Sequence, residues 1–144
     1  MEKLLISACI LGTNCKYNGK NNYNPLVEKL KERYILIPIC PEEMGGLSTP
    51  RNPSEIKIIN GEIHVIDNKN NDVTEEFKKG AFEALKLAKK LNVKKVILQS
   101  RSPSCGVGKI YDGNFSGKLI NGNGVLAQLL IDNGIEVIDI EKYL

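Results

Sequence analysis

Short apolar runs alternate with amphipathic and polar stretches along this chain. Residues 4–8, 34–39 and 93–99 are three such runs, and residues 135–140 form a fourth near the carboxyl end. Apolar runs of this length, rich in Ile, Leu and Val, are typical of strands that are buried on both faces of a parallel sheet. The pattern therefore predicts a mainly parallel sheet.

Residues with helical spacing separate these runs. Pro25 is suited to open a helix that carries Leu26, Val27 and Leu30, and Thr74 is suited to cap a long amphipathic helix that runs through Leu91. A last helix is predicted over 122–133. Strand–helix–strand units with such crossovers predict an α/β fold: a three-layer, Rossmann-like domain around a mainly parallel sheet.

A β-hairpin is predicted in the middle of the chain. Residues 56–59 and 62–66 read as two strands, and Asn60-Gly61 between them favours a tight turn. Residues 67–72 form a polar turn. Residues 41–53 contain many Pro and Gly residues, so we expect an irregular loop there.

Length and charge narrow the class of protein. The 144 residues suffice for one domain, residues 1–144, with a real core, and the net charge of +3 is too small to indicate a nucleic-acid partner. The chain has no Trp and only three Phe, which also argues against base stacking. No run reaches membrane-spanning length and the amino end does not resemble a secretory signal, so we expect a cytoplasmic protein without a membrane partner.

Three of the four cysteines lie where apolar runs end. Cys9 and Cys40 follow the first two predicted strands, and Cys105 follows the third. The carboxyl ends of parallel strands share one edge of the sheet, so three thiols could converge there on a metal or an iron–sulfur cluster. Three buried cysteines that act as small apolar residues are the alternative. No Cys-x-x-Cys motif is present, which excludes the spacing of a zinc ribbon or a thioredoxin-type pair.

Several polar residues next to these thiols are candidates for acid–base chemistry. Glu42 and Glu43 follow the second thiol, and Ser102 and Ser104 precede the third. The single histidine, His64, lies in the predicted hairpin, where an exposed position is expected. We therefore do not assign it a catalytic role.

Three long segments resemble motifs of the bacterial thiouracil desulfidase-like family, which was long known as a domain of unknown function. They are SACILGTNCKYNG (7–19), CPEEMGGLSTPRNPSE (40–55) and SRSPSCGVGKIYDGNFSGKL (100–119), and the resemblance continues through NGNGVLAQLL. The resemblance covers nearly the whole chain. It implies an oxygen-sensitive 4Fe-4S cluster that is held by Cys9, Cys40 and Cys105, with the fourth iron open to the sulfur of a substrate.

The activity that the resemblance implies is removal of sulfur from a thiolated pyrimidine such as 2-thiouracil, which gives uracil and sulfide by hydrolysis without electron transfer. Glu42 would activate water or relay a proton, and Ser102 would position the substrate or pass protons. Glu43 is the alternative to Glu42, and Ser104 is the alternative to Ser102. Ser104, Arg51 and Asp112 are the candidates for substrate binding, because paired hydrogen bonds can orient a pyrimidine.

Cys15 decides between two classes of function. An open coordination position distinguishes a catalytic metal site from a structural one, so the enzyme hypothesis keeps Cys15 as a free thiol near the cluster. If all four thiols bound metal, the protein would instead be a non-catalytic iron–sulfur or zinc protein, a sulfur carrier or sensor. A metal-free thiol enzyme or binding module is the third possibility.

Overall fold

The computed structural model describes residues 1–143. In chain order the elements are β1 (Glu2–Ser7), α1 (Leu26–Leu30), β2 (Tyr34–Ile39), α2 (Pro41–Met44), β3 (Ser54–Ile59), β4 (Glu62–Asp67), α3 (Thr74–Lys90), β5 (Lys95–Leu98), β6 (Lys109–Tyr111), β7 (Leu119–Asn121), α4 (Val125–Asp132) and β8 (Glu136–Asp139), with 3₁₀ turns at Ala8–Leu11 and Ile140–Tyr143.

Four parallel strands form the central sheet, in the order β2-β1-β5-β8. The chain moves outward from β1 to β2, then crosses back to β5 on the other side of β1. The strand order therefore changes direction between β1 and β5, and ligands of open α/β sheets bind at such switch points. The predicted α/β fold with a mainly parallel sheet is confirmed.

Two apolar layers cover the sheet. Successive side chains of a strand point to opposite faces, so Leu5 packs against α3 and α4 while Leu4 and Ile6 pack against α1 and the two 3₁₀ turns. All three side chains are fully buried. Their alternation produces the predicted three-layer arrangement.

The predicted hairpin is confirmed as β3 and β4. Asn60 and Gly61 have φ angles of 51° and 79°, the pair of positive values that a tight two-residue hairpin turn requires. The hairpin packs Ile56 and Val65 against Phe77 of α3. It thereby forms one wall beside the carboxyl edge of the sheet.

Three details differ from the sequence prediction. Pro41–Met44 form a helix instead of an irregular loop, because Pro41 occupies the first helical position, where its missing N–H costs nothing. The residue before α3 is Val73, so Thr74 is the first helical residue and not the cap. The short antiparallel pair β6 and β7 was not predicted at all.

Within residues 1–143, no helix combines the length and the apolar character needed to cross a membrane.

Candidate active site

The carboxyl ends of β1, β2 and β5 open into a cavity of about 330 Å³. Cys9, Cys40 and Cys105, the three cysteines that follow strands, all line this cavity, and Cys15 lines it as well. None of the four thiols forms a disulfide. The structure therefore brings every thiol of the chain to the switch point of the sheet.

The first two strand-end thiols are fixed by the elements that follow their strands. Cys9 lies in the 3₁₀ turn directly after β1, and Asn22 Nδ2 donates a hydrogen bond to its Sγ at 3.5 Å. Cys40 lies between β2 and α2, and its carbonyl accepts the N–H of Met44 at 2.9 Å. A strand or helix on at least one side of each residue therefore fixes the backbone positions of Cys9 and Cys40.

Cys105 lies in the Cys105 loop, residues 99–108, which is anchored to α4. Ser102 Oγ accepts the backbone N–H groups of Ser104 and Cys105 at 3.0 and 2.9 Å. The Ser104 carbonyl in turn accepts the N–H of Leu126 at 2.9 Å, so the loop satisfies donors at the start of the helix. A Cβ at Gly124 would lie 2.3 Å from the Ser104 oxygen, which explains why glycine precedes α4.

Cys15 lies in the Cys15 loop, residues 12–25, between the first 3₁₀ turn and α1. Its thiol packs with the thiols of Cys40 and Cys9 and can donate its single S–H hydrogen to either of them, which raises the pKa of Cys15 far above its usual value. The same contacts lower the pKa values of Cys9 and Cys40. Of these three thiols, Cys15 therefore holds its proton most strongly.

The pKa of the Cys105 thiol is shifted in the opposite direction to the pKa values of Cys9 and Cys40. Burial raises its pKa well above the usual value, and the negative charge of Glu42 raises it further. The Ser7 hydroxyl, which donates to the sulfur, partly offsets these two effects. A cationic group at this position would reverse the balance and favour the thiolate.

Glu42, in the first turn of α2, brings a buried carboxyl to the cavity. Its Oε2 accepts a hydrogen bond from Arg51 Nη2 at 3.1 Å and one from the Cys40 thiol at 4.0 Å. Its Oε1 is buried and makes no hydrogen bond of good geometry within residues 1–143, although the Ser104 hydroxyl lies close by. Burial raises the pKa of Glu42, and the Arg51 charge only partly offsets this rise.

A close helix contact holds Glu42 at this place. A Cβ at Gly45 would lie 1.9 Å from the Glu76 carbonyl oxygen, and one at Gly80 would lie 1.8 Å from the Pro41 oxygen. Only glycine at both positions lets α2 lie directly on α3. This packing fixes the height of Glu42 above the sheet.

Arg51 connects Glu42 to the Cys15 loop. Its Nη2 donates to the Cys15 carbonyl at 2.9 Å as well as to Glu42, and its Nη1 donates to Thr49 Oγ1 at 2.8 Å. Arg51 lines the cavity, as expected of a candidate substrate-binding residue, but both of its terminal nitrogens are engaged by the protein. Glu43 does not line the cavity and accepts a hydrogen bond from Thr49.

The other sequence candidates divide between the cavity and more distant positions. Ser102 lines the cavity, whereas Ser104, two residues further along the same loop, is fully buried and does not line it. Asp112 is not brought to the cavity: it accepts the backbone N–H of Asn114 at 2.9 Å and borders a separate groove. His64 lies away from the cavity, with its Nδ1 2.9 Å from Asp72.

Several polar residues that the sequence did not point to also line the cavity. Ser7, at the end of β1, accepts the N–H of Gln99 at 3.0 Å, and Ser100, which follows β5, donates to Asp139. Both serines lie at strand ends, so the signal that identified the cysteines could also have identified them. The remaining polar lining residues are Lys16, Tyr17, Asn22, Asn52, Ser54, Glu55, Gln99, Arg101 and Tyr111.

The donor chemistry of the cavity, thiols from separate elements, is compatible with an iron–sulfur cluster. Among residues 1–143, no three Cys, His, Asp or Glu side chains are grouped to hold one metal ion. In a cluster each thiolate binds a different iron atom, so its thiols surround the cluster and do not converge on one point. Thiols that line one cavity from different elements meet that requirement.

Comparisons with known proteins agree with one another. The family model for 2-thiouracil desulfurase matches residues 4–142. The uncharacterized protein YbbK of Bacillus subtilis (strain 168) is 43% identical over 141 residues, which cover 94% of this chain and 93% of that protein. A solved structure of TudS, a [4Fe-4S]-dependent thiouracil desulfidase, matches with a TM-score of 0.89 at 38% identity and covers 99% of this chain and 93% of that one.

These matches confirm the resemblance that the three sequence segments indicated. The family model spans almost all of the chain, and the structural likeness extends over the sheet, the hairpins and the helices that surround the thiols. The chain belongs to the 2-thiouracil desulfurase family and is a desulfidase, an enzyme that cleaves a carbon–sulfur bond.

Proposed function

We propose that this protein removes sulfur from a thiolated pyrimidine such as 2-thiouracil, giving uracil and sulfide by hydrolysis without electron transfer. The observation that carries the proposal is one cavity that combines thiols from separate elements with the buried carboxyl of Glu42. Its volume of about 330 Å³ is in the range of small-molecule sites. The likeness to TudS supports the substrate class.

Cys9, Cys40 and Cys105 would hold a 4Fe-4S cluster, and residues 1–144 would act as one desulfidase domain. When bound, such a cluster supplies a Lewis-acidic iron that polarises the bond between carbon and the substrate's sulfur. The three thiols are suitable holders because strands β1, β2 and the α4-anchored loop fix their backbones. Rigid mounting favours metal affinity, since less ordering is needed on binding.

Glu42 is the group we assign to water activation. A buried carboxyl with a raised pKa accepts a proton near neutral pH more readily than an exposed one does. Its Oε1 is buried beside the Ser104 hydroxyl, so the carboxyl is held from both sides at the wall of the cavity, where it would take up a proton from water. Arg51 acts as a positioning residue, because it holds Oε2.

Ser102 is assigned to substrate orientation. Its oxygen accepts two backbone N–H groups, so its own O–H hydrogen is free to be donated toward the cavity. A pyrimidine carbonyl oxygen is a matching acceptor. Ser104 does not face the cavity, and its hydroxyl instead adjoins the Glu42 carboxyl.

The test uses the full chain purified and reconstituted without oxygen. Iron and sulfide are quantified, 2-thiouracil is added, and uracil and released sulfide are measured. We expect uracil from the wild type and a loss of about 10²-fold or more in turnover for Glu42→Gln at unchanged iron content. Glu43→Gln is the matched control, because Glu43 lies on the same helix outside the cavity, and its turnover should stay near the wild-type value.

Two results would contradict the proposal. A cluster that produces no uracil would reject thiouracil as the substrate and favour the non-catalytic alternative, a carrier or sensor in which Cys15 permanently completes the coordination. A protein that takes up no iron on reconstitution would reject the cluster and leave only a thiol-lined α/β fold.

A further inference from the structure

Cys15 is buried in the candidate site, although a three-cysteine cluster does not need it. We propose that Cys15 is a displaceable ligand: it occupies the open iron when no substrate is present and leaves when a thiolated pyrimidine arrives. This inference rests on the proposed function, because only a cluster with an open iron offers Cys15 a position to take. The sequence alone left open whether Cys15 is a free thiol or a permanent fourth ligand.

Proximity is the first argument. Cys15 packs in the same buried cluster as Cys9 and Cys40, the Cys40 thiol lies 3.7 Å from the Cys15 carbonyl, and only 3% of Cys15 is exposed. All three side chains line the same cavity. A group that Cys9 and Cys40 bind together therefore lies within the reach of Cys15.

The mounting of Cys15 is the second argument. Cys9 and Cys40 adjoin strands, and the Cys105 loop is anchored on α4, whereas the Cys15 loop contains no helix or strand. The ends of the loop are held, because the N–H groups of Asn22 and Asn24 donate to the carbonyls of Cys9 and Ile10. The Cys15 N–H bonds only within the loop, to the Thr13 carbonyl at 2.9 Å, so a local movement at Cys15 breaks few backbone hydrogen bonds, which suits a ligand that must leave.

Arg51 supplies the third argument, because it connects this loop to the proton-handling carboxyl. One atom, Arg51 Nη2, donates to the Cys15 carbonyl at 2.9 Å and to Glu42 Oε2 at 3.1 Å. Movement of the Cys15 backbone therefore changes the hydrogen bonding of Glu42. Substrate entry would release Cys15 and adjust Glu42 in the same event.

The exchange balances without an external reagent. The bond between the Cys15 sulfur and iron breaks, and a bond between the substrate's sulfur and the same iron forms. The ring N–H next to the thiocarbonyl carbon gives its proton to the Cys15 sulfur, so the pyrimidine binds as an anion and Cys15 leaves as a neutral thiol. No electrons are transferred, and the net charge of the site is unchanged.

The test compares the reconstituted wild type with Cys15→Ala and with Asn21→Ala. Asn21 is a matched control, because it lies exposed in the same loop and donates to Asn14 at 2.9 Å, without a contact to the thiols. Mild oxidation of a cluster with an open iron removes that iron, and the three-iron product is detected by electron paramagnetic resonance. We expect this conversion to be about 10-fold or more faster in Cys15→Ala than in the wild type and Asn21→Ala.

A second measurement needs no variant and so does not depend on the folding of Cys15→Ala. Iodoacetamide labelling of Cys15 in the reconstituted wild type is followed by mass spectrometry with and without 2-thiouracil. A displaceable ligand is protected without the substrate and labels faster when the substrate is present. Equal labelling in the two conditions, or equal rates of iron loss in the wild type and Cys15→Ala, would overturn the inference.

Other outcomes separate this inference from the proposed function. If Cys15→Ala folds but holds no cluster, Cys15 is a permanent ligand, and the displaceable role is rejected. If Cys9→Ser, Cys40→Ser and Cys105→Ser all keep a full cluster, the proposed cluster ligands are wrong, and this inference falls with them. If the wild type produces uracil but Cys15 is labelled equally fast with and without the substrate, the proposed function stands and only this inference is rejected.

Discussion

The Cys105 loop and the Cys15 loop bring thiols to the same cavity by different means. In the Cys105 loop, Ser102 satisfies two backbone N–H groups, and the carbonyl of Ser104 joins the loop to α4. The Cys15 loop has no such helix anchor: its ends bond to the first 3₁₀ turn, with the N–H of Asn22 donating to Cys9 and that of Asn24 to Ile10, and Arg51 holds its middle through Tyr17 and the Cys15 carbonyl. One thiol is thus held beside a helix start, and the other beside a single arginine.

The largest effect is expected where the Cys15 loop is tied down. Arg51→Ala removes the partner of the buried Glu42 carboxylate and frees the Cys15 carbonyl. Breaking a buried ion pair from one side costs about 3 kcal/mol, so chemical denaturation should show a clear loss of stability. The strand-end ligands are untouched, and iron content should therefore remain near the wild-type value. A cluster lost along with the stability would mean that the two loops are not independent.

The next prediction disturbs the Cys105 loop instead. Gly124→Ala places a methyl group 2.3 Å from the Ser104 carbonyl oxygen, and overpacking of this kind costs about 1–3 kcal/mol. We expect a lower melting temperature together with reduced iron content. Gln128→Ala, on the exposed side of α4, controls for substitution in the helix itself. Full iron content in Gly124→Ala would show that the α4 anchor does not set the position of Cys105.

A smaller effect on the Cys105 loop is expected when the Ser102 hydroxyl is removed. Ser102→Ala leaves the N–H groups of Ser104 and Cys105 without their acceptor, which costs about 1 kcal/mol. Ser102→Thr keeps the hydroxyl and should restore both thermal stability and iron content. Equal melting temperatures for Ser102→Ala and the wild type would contradict the anchoring role.

The smallest expected effect concerns Asp72, which lies outside both loops and affects only the stability of the fold. The Thr74 hydroxyl and N–H, with His64, lower the pKa of Asp72 from 3.8 to about 2. A lowered folded-state pKa adds stability above the unfolded value near pH 4, and this stability is lost as the pH falls toward 2. Acid unfolding should therefore be steeper across that window in the wild type than in Asp72→Asn, at equal iron content near neutral pH. Identical acid profiles would exclude this contribution.

Local patterns were sufficient for much of the fold. The second strand, the Asn60-Gly61 turn and the final helix follow from periodicity and turn chemistry that depend on neighbouring residues only. Helix α2 was missed because its Pro and Gly neighbours read as breakers, whereas in the structure Pro41 starts the helix and Gly45 permits contact with α3. The residues that make this contact are more than 30 positions apart in sequence, so no short stretch of sequence reveals it.

The candidate site divides in the same way. The strand-end rule located Cys9, Cys40 and Cys105, because the ends of parallel strands must share an edge. The contact of Cys15 with two other thiols depends on the path of an irregular loop, which no periodicity encodes. Asp112 was expected at the site from its position in a matching segment, yet the fold carries it to another groove.

Hydrolysis is tested most directly by one reaction of the anaerobically reconstituted wild type with 2-thiouracil in water enriched in a heavy oxygen isotope. We expect uracil that carries the heavy isotope at the former thiocarbonyl position, one sulfide per uracil, and no consumption of an electron donor or acceptor. Uracil without the label, or turnover that requires a redox partner, would contradict hydrolysis at a thiol-held cluster.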